Sequence, residues 1–116
     1  MAELFGTVTM DGVQVIRLQL PEHLDSDEFD RLNESLLGLL ATQPAGAWVL
    51  DLSQLQYAGS SLLGLMVNIR QRVKQAGGRL VLCGLSDRLL QVFRTCSLER
   101  LFVIRRSVVE AVARAR

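Results

Sequence analysis

Cysteine, proline and histidine are scarce in this chain: two, two and one among 116 residues. Cys83 and Cys96 are too few for a disulfide framework and lack metal-ligand spacing, so both are expected to be free thiols acting as partly buried small hydrophobes. His23 is the single histidine, which removes the general base that most Ser–His–Asp arrangements require. Apolar runs of the eighteen or so residues that span a membrane are missing. The opening "MAELFGTVTMDG" has no basic segment leading into an apolar one, so it does not read as a signal peptide, and the expected compartment is the cytoplasm. Arginine-rich stretches occur without stacked aromatics or any nucleic-acid motif, which argues against a nucleic-acid partner.

What is present is ordinary for one globular domain covering residues 1–116. Hydrophobic residues make up 49% and charged residues 22%. The formal charge of +1 conceals an asymmetry. Residues 1–69 carry nine acidic and two basic side chains, whereas residues 70–116 carry three acidic and eleven basic. Glu22, Asp25, Asp27, Glu28, Asp30 and Glu34 cluster at the start of an expected helix, where acids suit the dipole. Such a division favours a protein partner of complementary charge.

The chain alternates strand and helix patterns. "LFGTVTM" and "VQVIRLQL" flank Asp11-Gly12, a strong hairpin signal. Val13, Val15, Ile16, Leu18 and Leu20 predict a strand with one face fully buried, ended by Pro21. Leu24, Phe29, Leu32, Leu36, Leu37 and Leu40 form a helical stripe, capped by Asp25 or Ser26 and ended by Pro44 and Gly46. "AWVLDL" reads as a strand buried on both faces. From Ser61 a helix follows, lined by Leu62, Leu65, Ile69, Val73 and Ala76 and stopped at Gly77-Gly78. "RLVLCGL" is a further strand, "SDRLLQVFRTCSL" a helix capped by Ser86, "RLFVI" a short strand, and "SVVEAVARAR" a helix capped by Ser107. The order β-β-α-β-α-β-α-β-α predicts an α/β fold: a mixed sheet with an N-terminal hairpin and helices alternating with strands.

Between the third strand and the second helix lies Ala58-Gly59-Ser60-Ser61. A nucleophile elbow would need glycine at Leu63, and a phosphate-binding loop would need lysine after Gly64, so neither enzyme motif is met. No catalytic residue, cofactor or metal site is expected. Two readings of the serines stay open. One hydroxyl can cap the helix, and the other sits where backbone N–H groups and the dipole receive an anion such as a phosphate. On this reading Ser60 is the cap and Ser61 the modified group.

"VLDLSQLQYAGSSLLGLMV" resembles the signature of the STAS domains, the sulphate-transporter and anti-sigma-factor-antagonist family. There a strand ending Asp-Leu-Ser leads to Asp-Ser-Ser or Asp-Ser-Thr and then to Gly-Leu opening a helix. "AGGRLVLCGLSDRLLQVFRTCSLERLFVI" resembles the family's closing run, so the likeness spans nearly the whole chain. It implies a bacterial regulator of transcription, an anti-sigma-factor antagonist. Such a protein binds an anti-sigma factor of the histidine-kinase-like ATPase type and is released by phosphorylation. By position the phosphorylated residue is Ser61, with Ser60 the second choice. Gly59 stands where the family has an acid, and Leu62 where it has glycine. The alternative is a STAS scaffold without phosphate turnover, either stressosome-like or an accessory subunit of a lipid-transporting ABC system. The expected partner surface comprises Gly59, Ser60, Ser61, Leu62, Asn68, Arg72 and Lys74, with a weak homodimer also compatible.

Overall fold

Asp11 and Gly12 both adopt left-handed backbone, at φ 53° and 78°, the paired positive dihedrals of a tight two-residue hairpin turn. They join β1 (Phe5–Met10) to β2 (Val13–Leu18) in antiparallel register, Met10 opposite Val13. The computed structural model describes residues 4–21 and 23–116. Glu22, counted above in the acidic cluster, and residues 1–3 lie outside them. After the hairpin come α1 (Ser26–Ala41), β3 (Ala47–Asp51), α2 (Ser60–Gln75), β4 (Arg79–Cys83), α3 (Asp87–Thr95), a 3₁₀ turn (Leu98–Arg100), β5 (Val103–Arg105) and α4 (Val108–Ala115). The five strands form one sheet in sequence order, with β2 to β5 parallel and β1 antiparallel to β2.

The sheet is covered unequally. On one face Ile16, Leu18, Trp48, Leu50 and Leu82 pack with Leu32, Leu36, Leu63, Met66, Ile69, Leu89 and Phe93 from α1, α2 and α3. The opposite face carries a smaller core, in which Val13, Val15, Val49, Val81 and Cys83 meet Ala111, Val112 and Ala115 of α4. β3 and β4 are therefore buried on both sides, which is why they read as near-continuous apolar runs, while β2 has apolar residues on both sides but is interrupted by Gln14 and Arg17. β2 goes beyond the expectation of one buried face: Ile16 and Leu18 enter the larger core, and Val13 and Val15 lie under α4. Leu20 falls beyond the strand.

Caps follow the sequence at three helices. Asp25 accepts from the Glu28 amide at 2.8 Å and Glu28 returns the bond to the Asp25 amide at 3.3 Å, a reciprocal capping box. Ser86 and Ser107 accept from the amides of Leu89 and Glu110. The buried stripe of α2 is Leu63, Leu65, Met66, Ile69 and Val73, so its centre lies between the expected positions; Ala76 is exposed. The last strand begins at Val103 rather than Arg100 because residues 98–100 wind into the 3₁₀ turn. Both cysteines are free; Cys83 is buried, but Cys96 is exposed and not the partly buried residue expected.

Candidate functional site

All parallel strands point their C-terminal ends to one edge of the sheet, so the loops that follow β2, β3 and β4 converge there. At that edge β3 ends in Asp51, the one buried charged residue among those described. Arg17, its register partner on β2, donates from Nε to Asp51 Oδ2 at 3.0 Å. Asp51 Oδ1 accepts from the Ser53 amide at 3.0 Å, which turns the chain out of the strand. Gly84 closes the same corner at φ 75°, and a Cβ there would stand 2.9 Å from both Asp51 Oδ1 and the Ser53 nitrogen. Burial, reinforced by the Asp51 charge and partly offset by Arg17, pushes the neighbouring Cys83 thiol up to about 12.

From this corner the chain runs outward to α2, pinned by the buried side chains of Leu55 and Ala58. Gly59 is the residue that caps α2. Its backbone is extended (φ −79°, ψ 177°), its carbonyl accepts from the Leu63 amide at 3.0 Å, and it has no side chain to satisfy the first amides. Ser60 and Ser61 thus occupy the first two helical positions, and both are exposed. The expected cap at Ser60 is corrected. A capping side chain must come from the extended residue before the first turn, and the helix begins one residue earlier than its apolar pattern indicates.

α1, α3 and α4 each have a side-chain cap and an acidic residue in the first turn, whereas α2 has neither. The N-terminal amides of α2 and its dipole are left facing Ser60 and Ser61 without a counter-anion. Gly59 is not required for conformation, since its φ is negative and the nearest atom to an added Cβ is Tyr57 Cε1 at 3.9 Å.

Gly59, Ser60, Ser61 and Leu62 line a cleft of about 340 Å³ together with Leu55, Tyr57, the β2–α1 residues Leu20, Pro21, His23 and Leu24, and Phe29 of α1. Tyr57 is 59% exposed, and the Arg88 guanidinium of α3 lies 5.6 Å from its ring centroid, within cation–π range. His23, Tyr57 and Arg88 were not singled out by sequence as neighbours of the serines. The signal that finds them is topological, because each belongs to a loop or helix start at the C-terminal edge of the sheet.

The remaining predicted partner residues separate. Asn68 and Arg72 follow Ser61 at seven- and four-residue steps, which keeps them on the same flank of α2. Arg72 borders the α1–α2 groove with Leu37, Leu40 and Pro44. Lys74 lies on another flank, in a cleft with Arg70, Arg79 and Arg114. Among the described residues no group of three or more His, Cys, Asp or Glu side chains is placed to hold a metal, and no helix is long and apolar enough to cross a membrane.

Comparison with known proteins places this geometry. The fold is shared with a Thermotoga maritima protein assigned as an anti-sigma factor antagonist, at TM-score 0.82 and 22% identity over 97% of this chain and 94% of that one. An anti-sigma-factor antagonist (STAS) domain protein from Planctomyces limnophilus gives TM-score 0.81 at 22% identity, covering 96% and 97%. The Bacillus cell fate determinant SpoIIAA in its phosphorylated form gives 0.68 at 20% identity, covering 97% and 99%. The family model of the STAS domain matches residues 7–111, and the chain belongs to that family.

Proposed function

We propose that this chain is an anti-sigma factor antagonist: a binding module, not a catalyst, that engages an anti-sigma factor of the histidine-kinase-like ATPase type. The partner phosphorylates Ser61 and is thereby released. The observation that carries the proposal is the start of α2, where two exposed hydroxyls meet an uncapped, acid-free helix N-terminus at the rim of a cleft. In the transfer, the Ser61 Oγ attacks the γ-phosphorus of ATP, the P–O bond to ADP breaks, and the hydroxyl proton is lost. The new phosphate brings roughly −2 charge and acceptor oxygens to the free amides, so α2 tolerates it. The partner's docked surface does not, because the charge must be desolvated and opposed on release of water. Membership of the family and the likeness to anti-sigma factor antagonists support this role.

A second reading is favoured by Gly59 and Leu62, which occupy the places of the family's acid and glycine. It is a scaffold that assembles constitutively and carries no phosphate. Incubation with the ATPase-type anti-sigma factor and ATP, followed by intact mass and peptide mapping, separates the two. One added phosphoryl group on Ser61 is the expected result. An unchanged mass for wild type selects the scaffold, and modification of Ser60 instead moves the switch by one residue.

A further inference from the structure

A cleft of about 260 Å³ opens at the N-terminal ends of β4 and β5, flanked by the C-terminal half of α2 on one face of the sheet and by the end of α4 on the other. Four cations line it: Arg70 and Lys74 from α2, Arg79 from β4 and Arg114 from α4. Its lining contains no acidic residue. Among the described residues none of the four has a carboxylate oxygen within 4.0 Å. Two of the guanidiniums are held in place by main chain, Arg70 Nε donating to the Leu101 carbonyl and Arg79 Nε to the Ala115 carbonyl, so their terminal N–H groups remain to donate elsewhere. Its apolar lining comes from both faces of the strand ends, Leu80 on the α2 side and Val81 and Val103 on the α4 side, which strengthens any charge interaction beside it. Arg70 and Lys74 stand four residues apart on one helix face, an unfavourable spacing for like charges. A bound anion would relieve that repulsion.

We propose that this cleft is a binding site for a small molecule bearing two adjacent phosphoryl groups. Two linked phosphoryl groups carry more negative charge than the roughly −2 of a single phosphate, and so come nearer to balancing the four cations. Planar guanidiniums held from behind suit phosphate oxygens, and Lys74 supplies a mobile point charge. The cleft shares no lining residue with the serine cleft, and Lys74 lies roughly 20 Å along α2 from Ser61 at 1.5 Å per residue. The inference is therefore independent of the phosphorylation of Ser61.

Inorganic pyrophosphate is the probe, titrated calorimetrically into the full chain at low and at physiological salt, with orthophosphate in parallel. The expected result is saturable binding of one pyrophosphate per chain, tighter than orthophosphate. Lys74→Gln and Arg114→Gln, which break no side-chain hydrogen bond among the described residues, should each weaken it by about tenfold, the equivalent of one charge-assisted bond. Arg94→Gln removes the same charge elsewhere and should leave binding unchanged. Amide shifts on titration should centre on residues 70–81 and 101–103. Non-saturable binding, equal losses in all three variants, shifts centred on Ser60 and Ser61, or binding of an acidic peptide in place of pyrophosphate would each overturn the proposal.

Discussion

Arg17 and Asp51 face one another across the β2–β3 ladder, and their burial is unequal: the Asp51 side chain is 2% exposed and that of Arg17 51%. The two ends of this ion pair therefore carry different risks. Asp51→Asn leaves a half-exposed guanidinium that water can solvate, and keeps an acceptor for the Ser53 amide. A loss of about 1–3 kcal/mol is expected. Arg17→Met leaves a buried carboxylate without its counter-ion, for which about 3–5 kcal/mol is the usual scale. Urea denaturation of both variants checks the order, and an Arg17→Met protein more stable than Asp51→Asn would contradict it.

The cap of α2 gives a second test. Ser60 stands inside the helix, so Ser60→Ala should change stability by no more than about 0.5 kcal/mol, not the roughly 1 kcal/mol of a lost cap. Gly59→Asp should gain a few tenths of a kcal/mol, because an aspartate at that extended residue can accept from the first-turn amides and meets no atom closer than 3.9 Å at Cβ. Thermal unfolding of the two variants in parallel reads both signs.

Cys83 and Cys96 should differ in reactivity by far more than their shared chemistry implies. Cys96 is exposed and should be alkylated in the native state. Cys83 is buried beside Asp51, with its thiol held near 12 from an ordinary value of 9.0, so it should react only on unfolding. The same shift fixes a pH dependence. The folded state keeps this proton more tightly, so the associated stability is full below pH 9.0 and is lost as pH rises from there toward about 12. Thiol counting in native buffer and in denaturant, with unfolding midpoints across that alkaline range, tests both statements.

Features governed by residues adjacent in sequence were legible before the fold was known. Asp11-Gly12 encodes its turn through backbone dihedrals, and Asp25, Ser86 and Ser107 encode caps through a bond to an amide three residues ahead. The apolar continuity of "AWVLD" likewise encodes burial between two layers. What was not legible depends on neighbours distant in sequence. Val13 and Val15 are buried by α4, almost a hundred residues later. Nothing near Tyr57 foretells the Arg88 guanidinium. Lys74 shares α2 with Ser61, yet helical rotation sets it in a cleft with Arg79 and Arg114, two residues far from it in the chain or on another element. That Gly59 and not Ser60 precedes the first turn of α2 is hidden for a different reason: hydrophobic periodicity locates a helix face far better than its first residue.

The proposed switch makes a prediction that separates charge from fold. Ser61→Asp places an acid in the second position of α2, where the dipole and free amides favour it by about 0.3–1 kcal/mol, so the variant should fold at least as stably as wild type. Its affinity for the anti-sigma factor should nevertheless fall by a factor of ten or more, about 1.4 kcal/mol, since the partner must bury that charge. Ser61→Ala should bind as wild type and resist release by ATP. Arg72→Glu, on the flank shared with Ser61 and Asn68, should slow association at low salt and much less at high salt, whereas Lys74→Glu should not. Surface plasmon resonance at two ionic strengths measures all four variants against the same immobilised partner. Equal affinity of Ser61→Asp and wild type would leave the serine without a switching role and hand the partner surface to the scaffold reading.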